Sequence, residues 1–457
     1  MKVKEIYIKD FRQFKEFTLD LTYPKGHQKE GQPLDKVCFI GQSGTGKTSL
    51  LKLIYLSEFY SEAQEKINTI DIDKNVFIKI CYKNNKTAII GFEKLERRDD
   101  KVSYLLRDIF PGSVSYKSIE REERFQSVSR LRESERNEIN WPNNLIYFPS
   151  NFKFDTKKTN EKQKKIFKSL FDFSKENIYD LWEILLSDIA KYQETELKIR
   201  QEISIAAETG DLKKIQVEVR KLEEWKVGTH NPIKDIADNC INKLIKHYAL
   251  KVKEDLDIQQ KDDIGFLKIE DFDGNEIPHY AWSTGTKQII LSALPLYLLK
   301  PKNSLILFDE PETSLYPDLQ RIIIDYYQGF TEDSQFFYAT HSPIIASSFE
   351  PWEIVELKFD DKGYVYRELY YEGENHVDNY YIDPRFLNFD LMLKEVFDMK
   401  FTNGDMRYEA LSEYGMLKNQ LETFKKENKL QTPAAKEVYK KFKLLSKKLV
   451  ANPEQHA

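Results

Sequence analysis

VCFIGQSGTGKTSLLKLIYLSEFY, residues 37–60, decides the fold. It opens on four apolar residues, Val37 to Ile40, a run that suits a strand buried on both faces. It closes on TSLLKLIYLSEFY, whose apolar residues recur at helical spacing. Between the two lie Gly41, Gln42, Ser43, Gly44, Thr45, Gly46, Lys47, Thr48 and Ser49. Gly41, Gly46, Lys47 and Thr48 match the pattern G-x-x-x-x-G-K-[ST]. Glycines at those places let the backbone N–H groups turn inward as an anion nest, and the following helix adds its positive N-terminal end. Lys47 is then placed to reach the outer phosphates of a nucleotide, and the Thr48 hydroxyl to ligate magnesium. Strand, glycine loop and helix in that order predict an α/β fold built around a nucleotide's phosphates.

A second stretch, SLILFDEPETSLYP at 304–317, puts Asp309 and Glu310 at the end of an apolar strand. In an open α/β sheet, ligands bind at the carboxyl ends of the strands. Two adjacent carboxylates there are costly to bury unless a cation lies with them. Asp309 therefore reads as a magnesium ligand, acting through water. Glu310 reads as the general base that polarises the water attacking the γ-phosphate.

Two further segments carry polar residues at element boundaries. Trp282-Ser283-Thr284-Gly285-Thr286-Lys287-Gln288 falls where strand character gives way to a helix, and YATHSPIIAS (338–347) follows a strand. With these, the chain resembles the ABC-type ATPases, and among them the SMC, RecF and OLD-like branch. WSTGTKQ is similar to that branch's signature, L-S-G-G-x or L-S-S-G-E-K-Q, with Trp282 in place of the usual Leu and Thr284 in place of the frequent second Gly. DEPETSLYP resembles D-E-P-E-x-x-L-H-P, with Tyr316 for His. THSP resembles the switch segment, with His341 as γ-phosphate sensor, and IKDFRQF (8–14) resembles the first-strand signature.

The resemblance covers about 1–155 and 255–360. It implies an ATP site shared between two heads, with Ser283, Gly285 and Lys287 of one facing the phosphate loop of the other. ATP would then join the heads and hydrolysis release them.

Working outward, the 457 residues are enough for two or three domains. The expected boundaries are an N-lobe of the ATPase head at 1–155, a helical, coiled-coil-like insert at 156–254, a C-lobe at 255–370 and a helical extension at 371–457. Strands are expected at 3–9, 15–21, 75–82, 87–93, 145–149, 264–270, 304–308 and 335–340, with a strand pair inside 353–370. The insert reads as a long helix from 177 to 208, a turn at 208–211, a returning helix from 212 and a third helix at 232–250. Residues 94–140 are dense in charge and read as a solvated insertion.

Lys plus Arg number 70 against 75 Asp plus Glu, a net charge of −5 that neither demands nor excludes nucleic acid. Between 418 and 448 ten Lys face three Glu. That stretch suits either a solvated helix face or a surface for nucleic-acid phosphates. Cys38, Cys81 and Cys240 fit no metal spacing and read as reduced thiols of a cytoplasmic protein. No apolar run is long enough to span a membrane.

The residues after His341 hold no D-x-D, so a Toprim-type nuclease domain is not expected in this chain. The length, the short insert and the helical extension look most like ATPase subunits of bacterial anti-phage systems such as Septu and PARIS. The resemblance implies a slow, regulatory ATPase using ATP and Mg2+. It would form a homodimer of heads or a higher oligomer, and act as sensor or scaffold for a separate effector, a nuclease. The alternative is a RecF- or SMC-like ATPase that binds DNA directly in repair or maintenance.

Overall fold

The computed structural model describes residues 2–58, 76–82, 87–94, 104–105, 109–110, 113–114, 145–150, 170–172, 187–254, 267–369, 380, 383–399 and 404–449. Most of the charged stretch 94–140 and the start of the long helix expected at 177 lie outside them. The chain divides into two compact units, Met1–Leu387 and Asn388–Ala457.

Among the described residues the first unit is organised by one twelve-stranded sheet. Its strands are β1 Val3–Phe11, β2 Phe14–Asp20, β3 Lys36–Gly41, β4 Val76–Tyr82, β5 Thr87–Lys94, β6 Tyr104–Leu105, β7 Leu145–Phe148, β8 Leu170–Asp172, β9 Leu305–Asp309, β10 Gln335–Ala339, β11 Ile354–Phe359 and β12 Val365–Arg367. The spatial order is β8-β7-β9-β10-β3-β11-β12-β2-β1-β4-β5-β6. From β8 to β11 every neighbouring pair is parallel. From β2 through β1 and β4 to β6 the pairs are antiparallel. The α/β class with a mixed sheet is therefore as the sequence implies.

Strands β7, β9 and β10 are buried along their whole length, and β3 through its four central residues, as their unbroken apolar runs require. Successive side chains alternate between faces. Leu305 and Leu307 join Val37, Phe39, Tyr147 and Phe337 in one core. Helix α1, Lys47–Glu58, adds Leu50, Leu51, Leu53 and Ile54 to that core. On the opposite face Phe308 stacks against Phe148 at 4.4 Å and against Tyr327 at 4.7 Å between ring centroids. Asp309 shares the parity of Leu305 and Leu307, so it comes out on the side of α1.

The expected helical hairpin is present. Helices α2, Ser187–Glu208, and α3, Leu212–Gly228, are joined by a turn in which Gly210 has φ +67°. Asp211 caps α3 by accepting from Lys213 N and Lys214 N. Tyr192 near the start of α2 meets Trp225 near the end of α3 at 4.7 Å, and Lys226 pairs with Glu196 at 3.0 Å, which fixes the antiparallel arrangement.

The third helix expected at 232–250 is not continuous. A short helix, Pro232–Ile236, passes into a π turn at Ala237–Ile241, then Asn242–Ile245 and a 3-10 turn, Lys246–Tyr248. Ala249 at φ +57° stops it. Leu250–Val252 then pairs as a strand with Ile269–Asp271, and Glu276–Ile277 completes a small antiparallel sheet across the Asp273-Gly274 turn. Helical spacing in a short apolar segment does not register a pairing partner some twenty residues away.

Helix α4, Thr284–Leu299, follows. Helix α5, Pro317–Gln328, lies between β9 and β10 in sequence. No helix among the described residues is long and apolar enough to cross a membrane.

In the second unit, α6, Asp405–Lys426, and α7, Pro433–Leu449, form a hairpin closed by Tyr414 stacked on Phe442 at 4.6 Å. Lys436, Lys440, Lys443 and Lys447 are exposed and lie at i, i+4, i+7 and i+11, one stripe of α7.

Candidate functional site

The site is assembled where three parallel strands end. β3 delivers the phosphate loop, β9 the acidic turn and β10 the segment containing His341. All three ends lie side by side because β9, β10 and β3 are neighbours in the sheet.

The loop depends on its glycines. Gly41 (φ +140°) and Gly46 (φ +91°) have backbone conformations that side chains rarely adopt. A Cβ on Gly41 would lie 2.3 Å from the Leu357 carbonyl oxygen, and one on Gly46 would lie 2.7 Å from the Phe14 ring. Ser43 and Gly44 form an exposed crest, while Thr45 is buried and its hydroxyl donates to Gln42 O at 2.8 Å. Lys47 is buried and its ammonium donates to Gly41 O at 2.9 Å and Gln42 O at 3.2 Å, within the loop itself. Burial lowers its pKa to about 8, against the opposing charges of Glu310, Asp309 and Glu312.

The loop meets the acidic turn through one short contact. Thr48 Oγ1 donates to Asp309 Oδ1 at 2.8 Å, and Tyr147 OH reaches Asp309 Oδ2 at 3.4 Å. Asp309 is 6% exposed. Burial, with the Glu310 charge adding, pushes its carboxyl above the usual range, while Thr48, Lys52 and Tyr147 oppose the shift. Glu310 then leaves the strand with φ +51°, a left-handed conformation that costs a non-glycine residue roughly 1–2 kcal/mol. Its N–H donates to Ala339 O at 2.7 Å, so the strained residue is held by the neighbouring strand. Its half-buried carboxylate also receives the Thr313 hydroxyl at 3.4 Å.

His341 follows β10 with its side chain at the surface. Partial desolvation and then the Lys47 charge hold its imidazole below the usual value, and Glu310 opposes them. Its backbone N–H donates to Glu312 Oε1 at 2.9 Å.

Residues of the Ser283 turn are placed differently. Ser283 is the exposed N-cap of α4, accepting from Thr286 N at 3.1 Å. Lys287 is half-buried in the first turn. Trp282 is buried and donates to Ile277 O at 2.9 Å. Gly285 is buried, and a Cβ there would lie 2.5 Å from Ser314 O and 2.9 Å from the Tyr248 hydroxyl. The Ser283 turn thus packs on the segment after the acidic pair. Among the described residues, no hydrogen bond joins it to Gly41–Ser49.

Four contributors escape a reading of the motifs alone. Gln13 Nε2 donates to Gly44 O at 2.9 Å, and Arg12 (φ +54°) reaches Ser49 Oγ at 3.4 Å. Both sit in the β1–β2 turn, inside the IKDFRQF stretch that was the only signal for them. Tyr147 lies in no motif, and Glu312 lies within the D-E-P-E resemblance with no role read for it.

The donor set suits a nucleotide's phosphates with a divalent cation. A buried ammonium is turned toward the loop's own carbonyls, side chains on Gly41 or Gly46 would collide with Leu357 or Phe14 and displace the loop, and a threonine hydroxyl adjoins a buried carboxylate.

A family model bears on the chemistry class. The AAA ATPase domain family matches residues 1–346. A search of the curated proteins finds no match. Among solved structures, the SMC head bound to the C-winged helix domain of ScpA is 11% identical, with 80% of this chain and 97% of that chain covered and a TM-score of 0.40. The SMC head domain from Thermotoga maritima is 11% identical, covering 80% and 98%, with a TM-score of 0.36. The SMC head with an extended coiled coil bound to the C-terminal domain of ScpA, from Pyrococcus furiosus, is 12% identical, covering 80% and 96%, with a TM-score of 0.35.

Proposed function

The chain belongs to the AAA ATPase domain family, and from that premise we propose that it is a regulatory ATPase whose site is completed by a second copy. The carrying observation is the 2.8 Å bond from Thr48 to Asp309, which fastens the phosphate loop to the acidic turn beside Glu310. Gly41, Ser43, Gly44, Thr45, Gly46 and Ser49 line or support the phosphate cradle. Thr48 and Asp309 would hold Mg2+, which supplies charge neutralisation across the phosphates when bound. Lys47 moves its ammonium from the loop carbonyls to the phosphates. Glu310 orients the attacking water and accepts its proton. His341 reads the γ-phosphate from the adjoining strand.

The shared site is supported by the Ser283 turn. Ser283 and Thr284 are exposed at that helix start, where a second head can meet them. The two states, joined and separate, would be biased by the γ-phosphate. As a sensor or scaffold, the joined state would pass its change through the α2–α3 hairpin to a separate effector, a nuclease in anti-phage defence. The lysine stripe of α7 supports the alternative of direct DNA contact, which would fall steeply with salt.

Sedimentation with and without ATP and Mg2+ tests the shared site. Association on ATP, reversed as hydrolysis proceeds, is the expected result. Full turnover by a chain that stays monomeric would remove the shared site. A phage challenge of cells carrying the chain with its neighbouring genes tests the defence role, which needs protection that Lys47→Ala abolishes.

A further inference from the structure

The acidic turn contains a third carboxylate, Glu312, that the proposed mechanism does not use. Its Oε1 accepts the backbone N–H of His341 at 2.9 Å. Its Oε2 is buried without a hydrogen-bond partner. Burial pushes the carboxyl above its usual range, against the Thr340 hydroxyl and the His341 N–H. Glu312 also ranks among the charges that oppose the lowering of the Lys47 pKa. Its hydrogen bond is thus with the switch segment, and its charge is felt at the phosphate-binding lysine.

The next residue of that segment is fastened in the same way. Ser342 Oγ donates to Gln320 Oε1 at 2.6 Å, while Gln320 Nε2 donates to Leu315 O at 2.9 Å. Two consecutive residues after β10 are thus tied by side chains from the acidic turn and the helix after it. A buried carboxylate with one oxygen unpaired is costly to keep. Hydrophobic packing alone gives no reason for an ionisable group here.

We infer that Glu312 is a positioning residue, which sets the backbone of His341 against the acidic turn and so aims the switch histidine. The inference rests on the reading of His341 as the switch. Reach and acceptor geometry are what the role demands, and full charge is not. Glutamine at 312 keeps an accepting oxygen at the same distance. Aspartate keeps the charge but withdraws it by one methylene. Alanine removes both.

The full chain without nucleotide is first measured by hydrogen exchange of the peptide spanning 338–346. Exchange about fivefold to tenfold faster is expected in Glu312→Ala and Glu312→Asp, and near-native exchange in Glu312→Gln, as loss of one hydrogen bond implies. Steady-state ATP turnover should fall about tenfold in Ala and Asp, with nucleotide affinity within about twofold, and recover in Gln. In a His341→Ala background the same substitutions should cost less than about twofold more, because both act through one group.

Unchanged exchange in Ala and Asp, Gln as impaired as Ala, or full multiplicative losses in the double variants would each overturn the role. Should Glu312→Ala not fold, the contrast of Asp with Gln decides alone. A His341→Ala variant with intact turnover would instead sink the switch reading, while the exchange data still decide whether Glu312 holds the segment.

Discussion

The phosphate loop and the Ser283 turn are both polar starts of helices, yet the structure treats them oppositely. The loop is closed on its own chain. Lys47 is spent on Gly41 and Gln42 carbonyls, Thr48 on Asp309, and Gln13 grips the crest at Gly44. The Ser283 turn bonds locally, its exposed serine accepting from Thr286 N and sharing a second bond with the Thr286 hydroxyl. Its buried side, Gly285, touches Ser314 rather than the loop. Among the described residues no hydrogen bond joins the Ser283 turn to the loop, which is the arrangement the proposed shared site asks of a component meant for a neighbour.

The contrast breaks most severely at Lys47. Lys47→Ala removes the buried cation of the loop, so ATP affinity should fall by about a hundredfold or more, the scale of deleting a charge-assisted hydrogen bond from a buried site. Calorimetric titration measures it, and unchanged affinity would deny the loop its role. Glu310→Gln should leave binding intact and lower turnover by about 100-fold, the usual worth of a positioned general base. That variant should accumulate as an ATP-bound associated species in sedimentation. Undiminished turnover would remove Glu310 as the base.

The difference between the two regions also explains what could be read beforehand. The loop lies between a buried strand and an amphipathic helix, and each part announces itself over a few residues: VCFI by its unbroken apolar run, Gly41 and Gly46 by their spacing. Asp309 and Glu310 are legible because a strand of Leu, Ile and Phe must end before two carboxylates. Glu312 is not, because its partner is a backbone N–H 29 residues away. Gln13 is 31 residues from Gly44, and nothing in a two-residue turn announces that it leans on a distant loop. The broken helix at 232–250 belongs to the same class. Its ending depends on Ala249 in the left-handed region and on a strand contributed from 269–271.

The exposed half is sharpened by Ser283→Arg. A long cation at the N-cap keeps α4 folded at the cost of a cap, about 1 kcal/mol, and places positive charge and bulk where a second head would dock. ATP-dependent association should disappear, and turnover with it to the extent that it needs two heads, while ATP affinity of the single chain stays within about twofold. Association that survives this change would mean that the Ser283 turn faces something other than another loop.

Gly285→Ala is the mildest change, and it asks whether the two regions communicate within one chain. An added Cβ would lie 2.5 Å from Ser314 O and 2.9 Å from the Tyr248 hydroxyl. Helical alanine is itself favourable over glycine by about 1 kcal/mol, whereas overpacking costs about 1–3 kcal/mol, so net stability should fall by up to about 2 kcal/mol. Relief requires a shift of the Ser283 turn relative to the carbonyl two residues beyond Glu312. If the turn is only a surface cap, thermal denaturation records that small loss and nothing else changes. If it is set by the acidic turn, association on ATP weakens severalfold while affinity of the single chain is unaltered. The second outcome is expected, since Ser314 belongs to the same turn that carries Glu310 and Glu312, and a shift of one end of that turn is felt at the other.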